Sequence, residues 1–203
     1  MKTRPKDFED LHADPLRELA EWVEAAKVQL GPEMATAMAL ATASKDGAPA
    51  ARILLLKDIS AGRLVFFTNR DSPKSKQLRE NPRAAALFHW PHLGVQIRVE
   101  GIVSETPREV SEAYFASRPR GSQLGAWASK QSAAVASREV LAAQVEAETL
   151  RFEAKTVPLP PFWGGYYLTA ERVELWFAAE SRLHDRYWFE KRGEAWVVKR
   201  LSP

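Results

Sequence analysis

The sequence predicts an α+β fold built on a mainly antiparallel sheet. Strand-like stretches cluster in two blocks with helical stretches between them, and the regular strand–helix alternation of a parallel sheet is missing. The strands are short and numerous, which favours closure into a barrel or sandwich. No GxGxxG or Walker loop follows a strand, so a nucleotide-binding parallel unit is not indicated.

Residues 1–13 are polar and read as a mobile arm. Asp14-Pro15 reads as N-cap and first helical residue, followed by Leu16, Leu19, Trp22 and Val23 at amphipathic spacing, with Gly31-Pro32 as the stop. AMALATAS and ARILLLKD flank KDGAP, a hairpin with its turn at Asp46-Gly47. GRLVFFTN is a third strand, SPKSKQLRENP a short helix, and AAALFHW and VQIRVEGIVSE two further strands separated by PHLG. Thr106-Pro107-Arg108-Glu109 predicts a capping box opening a helix that runs to Ser117. A second helix is expected over Ser132–Ala154, then the extended linker VPLPPFWGG, then three or four strands to the C-terminus.

The 203 residues, 45% hydrophobic and 27% charged, suit one large soluble domain. The absence of cysteine excludes disulfides and thiolate metal sites and fits a reducing cytoplasm. The first residues lack the apolar run of a signal peptide, and no stretch approaches the roughly 20 apolar residues that span a bilayer. Secretion and membrane insertion are therefore not expected. Net charge is +3, but 29 basic residues are interspersed with 26 acidic ones, a pattern that favours local anion sites over a nucleic-acid stripe.

Several positions suit anions. In SRLHDRYWF, read as a strand, Arg182, His184 and Arg186 share one face while Leu183 and Asp185 take the other. Three potential cations in a row need an opposing anion, although a solvated edge strand reads the same way. Tyr114 and Arg118 lie i, i+4 on their helix with Ser122 just beyond, a phenol, guanidinium and hydroxyl suited to phosphate or, equally, a core tyrosine beside an exposed arginine. Arg52 and Lys57 bracket ILLL and serve one site only if the strand ends or bulges at Lys57. Thr68, Ser72, Lys74 and Lys76 stand at a strand-to-helix junction, and Gln96 and Arg98 share a strand face. The histidines at 12, 89, 92 and 184 lack metal-ligand spacing, and no nucleophile elbow or carboxylate pair stands out. Cation clusters and aromatic platforms without an acid–base pair suit an organic cofactor that carries the chemistry.

ARILLLK, FFTN-x-x-S-x-K, NPRAAALFHW, QIRVEG, EAYFASRP-x-x-SQLGAWAS-x-QS, WGGY and RLHDR, in this order, resemble the pyridoxamine 5′-phosphate oxidase family from about Asp14 to Pro203. The resemblance implies a split β-barrel with flanking helices. Barrel strands would occupy 36–105, a helical segment 106–155, and C-terminal strands with the dimerisation region 163–203. It implies a homodimer binding FMN at the subunit interface. Arg52, Lys57, Phe67, Thr68, Lys74, Gln96, Gln131, Ser132, Trp176 and Arg186 match flavin contacts. Lys57, Tyr114, Arg118 and Ser122 match the holders of a substrate phosphate, and Arg182 and His184 the catalytic pair over the substrate ring. The implied reaction oxidises pyridoxine or pyridoxamine 5′-phosphate to pyridoxal 5′-phosphate, with hydride passing to flavin and oxygen reduced to hydrogen peroxide.

The chain departs from the pattern at Pro73, where an arginine is usual, at Val95, usually arginine, and at Phe177 and Ala178, usually glutamine and glycine. These departures imply weaker FMN binding unless Arg70 or Lys76 substitutes, or a flavin edge reshaped for another substrate. Two alternatives follow: a phenazine-pathway-like oxidase on another ring, and a non-catalytic binder of flavin or pyridoxal phosphate.

Overall fold

The computed structural model describes residues 2–203. Nine strands form one curled antiparallel sheet: β1 (Ala37–Ala43), β2 (Pro49–Leu55), β3 (Asp58–Ser60), β4 (Arg63–Asn69), β5 (Arg83–Trp90), β6 (Val95–Glu105), β7 (Trp163–Phe177), β8 (Asp185–Arg192) and β9 (Ala195–Leu201). Their order is β2-β1-β5-β6-β7-β4-β3, with β8 and β9 added beside β7. β7 is the spine. It pairs with β6 along its length, with β4 through Trp163–Thr169, and with β8 through Arg172–Phe177. A bulge at Glu100/Gly101 kinks the β6–β7 ladder between those two halves.

Helix α1 (Pro15–Thr36) opens as its sequence dictates, with the Asp14 carboxylate accepting from the Leu16 N–H and Pro15 in the first turn. Its helical geometry breaks at Gly31 (φ 77°), and a last turn from Pro32 continues the chain into β1. Leu16, Leu19, Trp22 and Val23 are buried with Leu40, Phe66, Phe88, Ile97, Leu168 and Leu175 in the main core. A smaller core joins Phe115, Leu124, Phe152, Val157 and Trp163 beneath the helical segment. That segment holds α3 (Arg108–Ser117), α4 (Arg120–Ala128) and α5 (Arg138–Arg151); α2 (Pro73–Glu80) follows β4. Among the described residues, no helix is long and apolar enough to cross a membrane.

Five expectations need correction. The arm is not free: Lys2 pairs with Glu18 and Glu21, Arg4 with Asp185, and Phe8 packs edge-on against Tyr187. The capping box does not form, because the buried Thr106 hydroxyl bonds Ser111 Oγ (2.8 Å) instead of capping α3. RPRGS does not stay a loop. Pro119 starts α4, whose glycines are offset by Leu124 packing and by Gln123 donating to the Phe115 carbonyl. The following helix begins at Arg138, not Ser132, because the Ser137 hydroxyl caps it and Ser132 takes φ 68°.

The fifth correction concerns RLHDR. Residues 180–182 form a 3-10 turn with positive φ at Ser181 and Arg182, and β8 starts only at Asp185. The alternation that set Arg182, His184 and Arg186 on one face therefore does not apply. Only Arg186 of the three belongs to the strand.

Candidate active site

At the first half of β7 two cationic centres come together. Lys74, in the first turn of α2, is buried, and its Nζ donates to Thr68 Oγ1 (3.0 Å), Ser72 Oγ (3.0 Å) and Gln131 Oε1 (2.7 Å). All three acceptors are neutral. Burial, and secondarily the charge of Arg52, pull the Lys74 pKa down to about 8. Arg52 in turn donates to the Leu40 carbonyl (3.0 Å) and Thr42 Oγ1 (2.7 Å), and burial lowers its pKa as well. Two cations held close by neutral oxygens make a cradle suited to a dianion.

Beside this cradle opens a cavity of about 500 Å³ lined by Lys57, Phe67, Thr68, Tyr114, Arg118, Ser122, Gln131 and Trp163. β2 ends at Leu55, and the Lys57 N–H bonds the Val65 carbonyl (2.9 Å). The strand thus stops before Lys57, which meets the condition for Lys57 and Arg52 to serve neighbouring places. Tyr114 lies inside α3, and Arg118 is its C-cap residue. Arg118 Nη1 is buried without a hydrogen-bond partner, and desolvation lowers the guanidinium's pKa. A lining guanidinium with no carboxylate partner and one unpaired, buried nitrogen fits an anionic ligand group. Ser132 follows Gln131 in an exposed loop.

The other expected residues stand elsewhere. Gln96 and Trp176 are register partners, as are Trp176 and Arg186. His184 packs against the Trp176 ring with 4.4 Å between centroids, and its Nδ1 accepts from the Ala179 N–H (3.1 Å). In the neutral ring the proton then sits on Nε2. Arg182 is exposed in the preceding turn. Arg186 is not a free cation: Glu174, 4% exposed, accepts from Arg186 Nε and Arg98 Nη2, each at 2.7 Å. Glu174 was missed because an acidic residue in an apolar strand carries no local cue to its cross-strand partners.

None of this second group lines the first cavity. Thr68 pairs with Gly164 and Gln96 with Trp176, twelve residues further along β7. That is about 40 Å of strand at roughly 3.3 Å per residue. The two groups of expected residues stand at opposite ends of the spine strand.

The departures from the family pattern also find places. Val95 and Phe177 are register partners, each 1% exposed in the core. They form one apolar pair, on the side of β7 opposite Trp176. Of the two residues near Pro73 that could carry a further charge, Arg70 pairs with Glu105 (3.2 Å) and Lys76 is exposed.

The curled antiparallel sheet defines a class, the split-barrel fold, and the cavity beside it is lined by cations without a carboxylate. The structure superimposes on PhzG from Burkholderia lata 383, solved in complex with tetrahydrophenazine-1-carboxylic acid, with a TM-score of 0.91 and 28% identity over 99% of this chain and 98% of that one. An FMN-binding protein from Nostoc punctiforme shares the fold at TM-score 0.76 and 16% identity, over 95% of this chain and 100% of that one. Residues 25–152 match the pyridoxamine 5′-phosphate oxidase family model, and 163–203 match the pyridoxine 5′-phosphate oxidase C-terminal dimerisation region. The pyridoxine/pyridoxamine 5′-phosphate oxidase of Rubrobacter xylanophilus is 48% identical over 94% of this chain and 87% of its own. That of Cupriavidus metallidurans is 48% identical over 96% and 91%. The chain belongs to the pyridoxamine 5′-phosphate oxidase family of oxidoreductases.

Proposed function

We propose that this chain is an FMN-dependent oxidase converting pyridoxamine and pyridoxine 5′-phosphate to pyridoxal 5′-phosphate. The observation that carries the reading is the pair of adjoining cationic hollows, one around Lys74 and Arg52, the other around Lys57, Tyr114, Arg118 and Ser122. Two phosphorylated molecules lying side by side require that arrangement. Bound FMN would supply the hydride acceptor, with oxygen as final oxidant and hydrogen peroxide as product.

The chain's own residues bind and orient. Lys74, Arg52 and Thr68 hold the flavin phosphate, with Gln131 beside them. Lys57, Tyr114, Arg118 and Ser122 hold the substrate phosphate, so the substrate ring is anchored from its far end. The active unit is a homodimer in which the second half-site, with Gln96, Trp176, Arg182, His184 and Arg186, comes from the other copy. His184, with Nδ1 occupied by the Ala179 N–H, offers Nε2–H as a donor near the ring. Arg182 supplies positive charge there.

The structural likeness to PhzG supports a second reading, an oxidase acting on a ring carboxylate. The two-cation, two-hydroxyl hollow favours a dianionic phosphate ester over a monoanionic carboxylate. An absorbance spectrum followed by oxygen-electrode traces decides between them. A flavin spectrum with oxygen uptake on both phosphorylated vitamers supports the proposal. Flavin bound without peroxide from either vitamer overturns it in favour of a binder, and turnover only of a tetrahydrophenazine carboxylate overturns it in favour of the second reading.

A further inference from the structure

Arg118 raises a mechanical question. An arginine that must meet an anion needs its guanidinium held in one orientation, and the usual clamp, a carboxylate, would cancel the charge the ligand requires. Here the clamp is aromatic. The guanidinium carbon of Arg118 lies 4.9 Å from the centroid of Trp163 and 5.5 Å from that of Phe115. Trp163 is itself 7% exposed and packs edge-on against Phe115. Its plane is nearly parallel to Phe67 (6°, centroids 5.5 Å apart) and Tyr114 (7°, 6.1 Å), and Phe67 and Tyr114 stack at 4.0 Å. Tyr114, Phe67 and Trp163 thus form one layered wall of the cavity, and Arg118 leans on its Trp163 end.

We infer that Trp163 is a positioning residue for the phosphate of the substrate, holding the Arg118 guanidinium by its ring face so that its charge stays unpaired for the ligand. This rests on the proposed reading of the cavity as a phosphate-ester site. A ring face orients a cation without neutralising it, and it offers no hydrogen-bond acceptor that would compete for Nη1. It also leaves the side chain poised in a desolvated place, where an arriving phosphate gains most from charge-assisted bonds. Trp163 opens β7 opposite Asn69, so the clamp is built on the sheet and not on the helix that carries Arg118.

The test is steady-state kinetics on the FMN-loaded enzyme with pyridoxine 5′-phosphate and with unphosphorylated pyridoxine. Trp163→Leu is expected to raise KM for the phosphorylated substrate roughly three- to thirty-fold, the range of a cation–π contact. The KM for pyridoxine should rise less, since that substrate brings no phosphate to Arg118. Trp163→Phe, with a smaller ring face, should fall between wild type and Trp163→Leu. In an Arg118→Ala background, Trp163→Leu should add clearly less than in the wild type, because the part of its effect that runs through the guanidinium is already lost. Additive effects, or equal KM rises for both substrates, overturn the inference. If Arg118→Ala raises KM for the phosphate ester and Trp163→Leu does not, only the inference falls. If Arg118→Ala itself leaves KM unchanged, the phosphate-site reading falls with it. Should Trp163→Leu not fold, Trp163→Phe carries the decision: a KM rise confined to the phosphorylated substrate supports the clamp, and no change overturns it.

Discussion

At the scale of single residues, Lys74 and Arg118 differ from Arg70 and Arg186 in having no carboxylate partner among the described residues. Lys74 has three neutral acceptors and a pKa of about 8, against an ordinary 10.5. Between those two values the unfolded chain binds more protons than the fold, so this group makes the unliganded protein more stable as pH rises through that window. Anion binding works in the opposite sense, since it needs the protonated amine. Flavin fluorescence quenching should therefore report FMN affinity that weakens above about pH 8, by up to about tenfold per pH unit. Lys74→Met should bind more weakly at pH 7 and lose most of this dependence; an unchanged profile in that variant would remove Lys74 from the cradle. Residue type and local spacing marked Lys74, Arg118 and Tyr114 as anion-binding candidates. It was silent on Glu174, whose two arginine partners come from neighbouring strands.

At the scale of elements, the N-terminal half of β7 builds the cavity wall. Gly165 lies where a Cβ would come within 2.6 Å of the Phe67 ring and 2.7 Å of Thr106 Oγ1. Gly165→Ala should push Phe67 out of the layered wall, costing about 1–3 kcal/mol of stability as an overpacked site does. Thermal unfolding and the KM for phosphorylated substrate measured together check this; a variant with wild-type stability and KM would show that the wall tolerates displacement. Elements with strong local signals were legible in the chain: the Asp14-Pro15 helix start, the Asp46-Gly47 hairpin and the Asn81-Pro82 stop all stand where their turn chemistry puts them. α4 and the turn at 180–182 were not legible. Pro119 and Gly121 suggest a loop, and only packing on Phe115 and Phe152 makes them a helix. Likewise the backbone of Ser181 and Arg182 is held at positive φ by a turn closed through the Ala179 N–H to His184 bond.

At the scale of the whole molecule, the length of β7 is decisive. Its two ends carry complementary groups that lie about 40 Å apart along the strand, at roughly 3.3 Å per residue. If each complete site joins the first half of one copy to the second half of another, defects in different halves complement. Arg118→Ala and Arg182→Ala homodimers should each be poorly active at low substrate. Co-expressed with separate tags and pairing at random, they should recover about a quarter of wild-type activity, because half the dimers are mixed and each mixed dimer has one intact site. Activity no higher than that of the separate variants would mean that each site is built within one chain.

The order of the elements, the apolar stripe of α1, the paired strands around KDGAP and the stock of cations follow from the sequence itself, because capping, turn geometry and side-chain periodicity act over a few residues. The partition of those cations does not. Which of them share a cavity, which are already matched by Glu174 or Glu105, and which stand at the far end of β7 depend on strand register and on the curl of the sheet. Those are settled only when residues far apart in the chain pack together.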